Sequence, residues 1–157
     1  MKFLTITFLF FSVFCFSQEI DCPVENGVIY YNESYEFRTK RDCCNVNRIY
    51  NPSKSTNVHS EKPISVTSIS EGKVYSIIFT GNLLSILVRK GDNEFYVYSD
   101  LNSTNFKKGD EIKIGDEIGI IDKKSEFSDD GDYILNFSYW QGIEINDIFD
   151  RLKCIKK

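Results

Sequence analysis

Residues 106–122 contain the same short phrase twice, as Gly109-Asp110-Glu111-Ile112 and again as Gly115-Asp116-Glu117-Ile118. Each Gly-Asp pair predicts a tight turn, because glycine adopts positive φ and the aspartate side chain can bond nearby backbone. After each turn, isoleucines alternate with other residues, which is typical of a short strand with one apolar face. Strands this short are not stable alone, so the repeat requires a larger sheet around it.

The rest of the chain supplies strands for that sheet. Segments rich in β-branched and aromatic residues occupy residues 28–31, 35–38, 64–69, 73–79, 83–89, 95–98 and 133–140. Turn-forming residues separate most of them, which predicts an all-β fold of antiparallel sheets arranged as a sandwich or a partly open barrel. Residues 39–62 are polar and aperiodic and predict a long loop. Residues 145–152 have helical apolar spacing and predict a short C-terminal helix.

The length of 157 residues and the 41% hydrophobic content fit one globular domain. Residues 1–17 carry one lysine and an apolar run, so we expect a signal peptide that is cleaved before Gln18, with lipidation at Cys15 as the alternative. Residues 18–62 would then form a lead-in and residues 63–157 the core domain. We therefore expect a secreted, periplasmic or cell-envelope protein with no membrane span in the mature chain. The net charge of -4 and the lack of a basic stripe argue against nucleic-acid binding.

Four cysteines remain after the signal: Cys22, Cys43, Cys44 and Cys154. In an oxidising compartment they predict two disulfides, for which three connectivities exist. Adjacent cysteines bridge each other only with strain, so we expect Cys22 and Cys154 each to be tied to the Cys43–Cys44 pair. A zinc cluster is the alternative, but the chain has no C-x-x-C pair and no histidine near these cysteines.

The order of four phrases resembles a known family. They are VTSISEGKVYSI (66–77), LLSILVRKGDNEFYVYSDL (83–101), FKKGDEIKIGDEIGII (106–121) and YILNFSYWQGIEIND (133–147). Together they resemble the β-sheet core of the lysostaphin-type, LytM-like zinc metallopeptidases, which cut peptidoglycan cross-bridges. The most specific part is the double-glycine phrase that ends at Ile118-Gly119 and follows YSDL at residues 98–101. The resemblance implies this family's fold for residues 63–147.

The residues that make the family catalytic are replaced. The family binds zinc through an early His and Asp of an H-x-x-x-D phrase and the last His of H-x-H. The H-x-H phrase aligns with residues 134–136, so Ile134 and Asn136 take its two histidine positions, and another conserved family histidine aligns with Asp100. The early ligands would fall within residues 49–57, which offer neither His nor Asp. Because a neutral amide is a weak zinc donor, we expect no bound metal and no cofactor.

Two further sets of candidates remain. His59, the only histidine, is a weak candidate for a shifted zinc ligand, but a lone histidine is more typically a surface or hydrogen-bonding residue. The aromatic residues of the strands alternate, so half of them should face the core. Tyr96, Tyr139 and Trp140 are our candidates for the other half, where they could line a groove and stack on sugar or peptide.

The sequence thus predicts a non-catalytic pseudo-peptidase that binds peptidoglycan or a cell-wall hydrolase, the partners that the resemblance implies. The first alternative is an active zinc endopeptidase that uses unconventional ligands, among them His59 and Asp100. The second is a secreted structural, interaction or inhibitor module that keeps only the β core.

Overall fold

The computed structural model describes residues 19–30, 55–125 and 131–157. The strands within these residues are β1 (Val28–Ile29), β2 (Thr56–Ser60), β3 (Ile64–Thr67), β4 (Gly72–Thr80), β5 (Leu83–Arg89), β6 (Glu94–Leu101), β7 (Glu111–Ile112), β8 (Glu117–Ile121), β9 (Tyr133–Gln141), β10 (Glu144–Asn146) and β11 (Ile155–Lys156). One turn of 3-10 helix spans Phe149–Arg151. The predicted all-β class is confirmed.

Most strands join one large antiparallel sheet. Its order is β11-β1-β2-β9-β6-β5-β4-β7, with β10 added beside β9, and only the β1–β11 pair is parallel. Strands β3 and β8 form a second, small sheet. The described strands thus make two open sheets and no closed barrel.

The core lies where alternate residues of the central strands meet the small sheet. In β9, Leu135 and Phe137 are fully buried, and in β6 Tyr98 and Leu101 are fully buried. Val66 in the small sheet belongs to the same apolar cluster. Since successive strand residues point to opposite faces, the residues between these positions form the outer face of the large sheet, away from the core.

The two Gly-Asp repeats form two equivalent turns. In each turn the aspartate N–H donates to the carbonyl of the lysine three residues earlier at 3.1 Å, and the aspartate Oδ2 accepts the N–H of that lysine at 2.7 and 2.8 Å. Gly109 and Gly115 have φ of 97° and 88°, as the third residue of a type II turn requires. The predicted turns are confirmed, and their sequence repeat is a structural repeat.

Both turns hold the segment that connects the two sheets. Gly109 N–H donates to the Val74 carbonyl, and Val74 N–H donates to the Asp110 carbonyl, both at 2.8 Å. Gly115 and Asp116 make the same pair of bonds with Ser68, at 2.7 and 2.8 Å. Ser68 follows the small sheet and Val74 belongs to the large one, so the repeat fixes the connection at both ends.

Tyr98 strengthens the same junction from inside the core. Its hydroxyl accepts the Ile69 N–H at 3.0 Å and lies 3.4 Å from the Ser68 hydroxyl oxygen. Burial raises the pKa of the Tyr98 phenol to about 12. A side chain of the large sheet thus caps backbone that leaves the small sheet.

Three predictions are wrong. Residues 39–62 do not form loop throughout, because β2 lies between β1 and β9 in the large sheet. With Val58 as its one apolar residue, β2 has a weak strand pattern, and its two neighbours supply the hydrogen bonds that hold it. The predicted helix over 145–152 is reduced to the 3-10 turn. The first residues of the predicted helix instead belong to β10, which pairs with β9. The helical spacing instead reflects burial of Ile148 and Leu152.

The third error concerns the disulfide. Cys22 bonds to Cys154, with their Cα atoms 4.9 Å apart, rather than to the adjacent pair Cys43–Cys44. The physical reason is that the two ends of the chain run side by side: β1 pairs with β11, and Ile20 bridges to Leu152. Cys43 and Cys44 lie outside the described residues, as do the expected signal peptide and the strand segment predicted at residues 35–38.

We expect Gly109→Ala and Gly115→Ala each to lower the free energy of unfolding by about 1–2 kcal/mol, because a side chain is strained at positive φ. Open space surrounds Gly115, and the nearest atom to a Cβ at Gly109 is Lys73 Cε at 3.9 Å, so backbone strain dominates. Gly91→Ala is the matched control, since Gly91 has open space and no positive φ. Urea denaturation measures all three; a loss at Gly91 equal to the others would contradict the account.

Loss of the Cys22–Cys154 bond should cost about 2–5 kcal/mol of stability, since it closes a loop across a sequence separation of 132 residues. Denaturation of Cys22→Ala/Cys154→Ala measures this cost. A proteolytic digest without reductant should yield a peptide containing Cys22 joined to one containing Cys154. Recovery of either cysteine joined to a peptide containing Cys43 and Cys44 would instead support the pairing that the sequence predicted.

Stability should also fall in alkali because of Tyr98. Its folded pKa is raised from 10.0 to about 12, so the folded state keeps the proton that the unfolded state releases. The contribution is complete below pH 10 and is lost as the pH rises toward 12, by about 2–3 kcal/mol in total. Urea titrations between pH 8 and pH 11 should show a shallower decline for Tyr98→Phe than for the parent. The exposed Tyr75→Phe is the control and should keep the parent's slope.

Candidate functional site

Neutral polar side chains cross the outer face of the large sheet in one row. The register pairs Asn57 of β2 with Asn136 of β9, and pairs Asn136 with Ser99 of β6. The Asn136 amide donates to Asn57 Oδ1 at 2.8 Å, and the Ser85 hydroxyl of β5 donates to the Ser99 hydroxyl oxygen at 2.9 Å. These four residues, the polar row, can offer amide and hydroxyl hydrogen bonds across four adjacent strands.

The residues predicted to replace family ligands lie along this row or beside it. Asn136 belongs to it, and Ile134, two residues earlier on the same face, is 7% exposed. Asp100 lies next to Ser99 in a β-bulge, where the two residues oppose the single residue Ser85. The structure thus places Asn136 and Ile134 on the outer face and Asp100 in the bulge beside Ser99.

Asp100 has an unusual backbone conformation and a carboxyl group with a raised pKa. Its φ of 68° lies in the left-handed region, which bulges use to redirect a side chain. The residue is exposed, yet partial desolvation of the carboxyl group raises its pKa. Among positions 100, 134 and 136, which the resemblance aligns with family histidines, only Asp100 carries a carboxylate. The side chains of the polar row beside it carry no charge.

His59 lies beside this face, in register with Ile134. It is 5% exposed, its Nδ1 lies 3.2 Å from Asp132 Oδ2, and the ring of Tyr30 meets it edge-on at 5.0 Å. The histidine is thus a buried hydrogen-bonding residue rather than a surface one. His59 and Asp132 together offer two side chains that could bind a metal ion, whereas a catalytic zinc needs three protein ligands.

The donor set does not fit the family's zinc. Ile134 has no donor atom, and the neutral Asn136 amide group is already bonded to Asn57. Within residues 19–30, 55–125 and 131–157, no group of three or more His, Cys, Asp or Glu side chains could hold a metal ion.

The three predicted groove aromatics do not share a face. Tyr96 is 7% exposed within the core, with its ring 4.9 Å from that of Tyr139, and Glu94 Oε1 accepts both hydroxyls at 3.3 and 3.1 Å. Burial, followed by the Glu94 carboxylate, raises the pKa of both phenols. Trp140 lies on the outer face, in register with Phe95, and its indole N–H donates to the Ser138 hydroxyl at 3.0 Å.

The structure adds residues that sequence reasoning missed. Asn57 fell inside the segment predicted as loop, at the end of the range aligned with the family's early ligands, and its direct pairing with Asn136 was not predicted. Ser85 and Ser99 carried a weak signal, since each interrupts an apolar strand on the side opposite the core residues. Phe95 and Tyr75, whose rings lie 5.4 Å apart, extend the outer face beyond Trp140.

Comparison with known proteins identifies the fold. No family model matches the sequence, and no curated protein matches it. A chain from the SpoIIQ–SpoIIIAH pore-forming complex is similar with a TM-score of 0.64 and 19% identity, over 87% of this chain and 92% of that one.

Peptidases are similar over a smaller part. A zinc-containing peptidase from Vibrio cholerae has a TM-score of 0.53 and 18% identity, over 61% of this chain and 29% of its own. Lysostaphin from Staphylococcus simulans has a TM-score of 0.53 and 19% identity, over 68% of this chain and 45% of its own. At such identities the likeness establishes architecture and not activity. The chain has the all-β fold of the lysostaphin-type, LytM-like peptidase domains.

Proposed function

We propose that this chain is a non-catalytic LytM-like module that binds at the cell envelope, with peptidoglycan or a cell-wall hydrolase as its partner. The observation that carries the proposal is the hydrogen bond between Asn57 and Asn136. By the sequence resemblance Asn136 takes the position of the family's last zinc-binding histidine, and this bond makes it half of a neutral amide pair. An amide pair can bind a polar ligand, but it neither holds zinc firmly nor activates water.

The outer face has the chemistry of a binding surface for such polymers. Peptide and sugar groups donate and accept neutral hydrogen bonds, which the amides and hydroxyls of the polar row can match. Trp140 and Phe95 lie on the same face and offer flat apolar surfaces beside it. This combination of a few polar groups with aromatic side chains is common in ligand sites.

We propose an exported location, which two features of the chain support. The Cys22–Cys154 disulfide is typical of proteins in oxidising compartments. The apolar residues 1–17 would direct export. No helix in the part of the chain that the structure describes is long and apolar enough to cross a membrane.

Assembly with a protein other than a cell-wall hydrolase is the second candidate. It is favoured by the similarity to a chain of SpoIIQ–SpoIIIAH, which is a complex between two proteins. Under this candidate the same fold serves assembly, and the outer face contacts a polypeptide.

The test combines metal content, hydrolysis and wall binding. We expect the protein purified with equimolar zinc and then dialysed to keep far less than one zinc per chain, and to release no peptides from purified sacculi. It should sediment with sacculi, and Asn57→Ala/Asn136→Ala should lower the retained fraction by about tenfold, the cost of about one or two hydrogen bonds. Asn105→Ala is the control, at an exposed position outside the polar row.

Each alternative has its own result. One zinc per chain together with sacculus cleavage that His59→Ala abolishes would establish an active enzyme and refute the proposal. Absence of sedimentation with sacculi would remove peptidoglycan as the ligand and leave the protein-partner candidate. Circular dichroism spectra of the variants verify that each remains folded.

A further inference from the structure

The outer edge of β4 is open over much of its length. β4 pairs with β5 from Lys73 to Thr80, but β7 covers it on the other side only at Gly72 and Lys73. The turn at Gly109 then bonds Val74. Beyond that point no strand among the described residues lies beside residues 76–80, which we call the free edge. Its outward backbone groups are available to another strand.

The side chains around the free edge are apolar and exposed. Phe79 is 73% exposed, and Ile78 and Tyr75 are each 49% exposed. Phe79 is opposite the core residue Leu84, whereas Ile78 is opposite Ser85 of the polar row, so apolar side chains occupy both faces of the strand. Residues 74–88 contain no charged residue. A β-bulge at Tyr75 interrupts the pairing of β4 with β5 just before the free edge, and the pairing is regular from Ser76 to Thr80.

The opposite edge of the sheet is shorter and carries lysines. It is formed by β11, which has two residues, one of them Lys156. Lys153 and Lys157 flank it. Short length and lysines are the usual protection of an edge strand against pairing with another chain. The free edge of β4 has neither the short length nor the lysines that protect β11. It therefore remains able to pair with another strand.

We infer that the free edge pairs with the free edge of a second copy of this chain, antiparallel, across a two-fold axis near Ile77 and Ile78. The partner strand must be uncharged and apolar on both faces, and β4 itself meets this requirement. An isologous contact across a two-fold axis is also the commonest way for identical chains to associate.

Charge decides the direction of pairing. Arg89 and Lys108 each lie 5.9 Å from the Tyr75 ring centroid, and Lys73 is opposite Glu111, so one end of the free edge carries charges of both signs. The other end is the neutral turn at Gly81 and Asn82. Antiparallel pairing sets the charged end of one copy against the neutral turn of the other. Parallel pairing in register would set each charged side chain beside the same side chain of the other copy, at an electrostatic cost.

The size of this contact sets its strength. Five residues of strand edge with three apolar side chains per copy fall at the low end of specific interfaces, below about 1,200 Å² in total. The dimer is therefore weak, with a dissociation constant on the order of micromolar or above. It forms at the high local concentration that binding to a common polymer would produce, but dimerisation itself does not depend on the proposed function.

Sedimentation velocity of the purified protein from about 1 to 500 µM tests this inference. We expect a reversible monomer–dimer equilibrium that Ile78→Lys and Phe79→Lys each weaken by at least about tenfold, because each places an ammonium group against the other copy's apolar edge. Ile155→Lys is the matched control: Ile155 is also on an edge strand, is 47% exposed against 49% for Ile78, and should leave dimerisation unchanged. Concentration-dependent hydrogen exchange should protect amides within residues 76–80.

Other results overturn the inference. A parent protein that stays monomeric throughout would leave the edge to an extended peptide of another protein. Dimerisation that survives both lysine variants, or that Ile155→Lys disrupts, would place the interface elsewhere. Because all three positions are exposed, the variants should fold, and far-ultraviolet circular dichroism with thermal melts verifies it. A variant that fails to fold is replaced by Ile78→Thr, and unchanged dimerisation of that variant with the exchange pattern absent also refutes the contact.

Discussion

The pair of hydrogen-bonded turns at Gly109-Asp110 and Gly115-Asp116 is the constraint on which the two-sheet architecture depends. Each turn exchanges two backbone bonds with the segment that passes from the small sheet to the large one. Since the small sheet has only two strands, it could not persist without attachment to the large one. The buried hydroxyl of Tyr98 bonds to the same segment from the opposite side. These contacts hold the two sheets together around the apolar core.

The large sheet serves two purposes because its strands alternate. One face packs residues such as Phe137 into the core, and the other carries the polar row and the outer aromatics. Asn136, which the resemblance aligns with a metal-binding histidine of the peptidases, is bonded to another amide. Such a surface retains shape and hydrogen-bonding capacity, but its amide and hydroxyl groups are weak zinc ligands compared with imidazole or carboxylate. The proposed shift from hydrolysis to binding therefore needs few changes and none in the scaffold.

The sequence resemblance proposed part of the candidate site. It aligned residues 100, 134 and 136 with family positions because recognisable turn and strand phrases surround them, and that assignment stays a prediction. Asn57 was missed because β2 is a strand by virtue of its neighbours and has almost no apolar pattern of its own. Tyr96 was assigned to a groove, yet it lies in the core, since alternation alone shows that two faces exist and not which of them is buried.

What the sequence determined by itself is local: the two Gly-Asp turns, whose glycines must adopt positive φ, and the strands between turns, whose alternation follows from backbone geometry. Only the tertiary structure decided which distant segments meet. It placed Cys22 beside Cys154, inserted β2 between β1 and β9, and left one edge of β4 open. The physical reason is that long-range pairing depends on the summed burial and hydrogen bonding of the whole chain, which no single segment encodes.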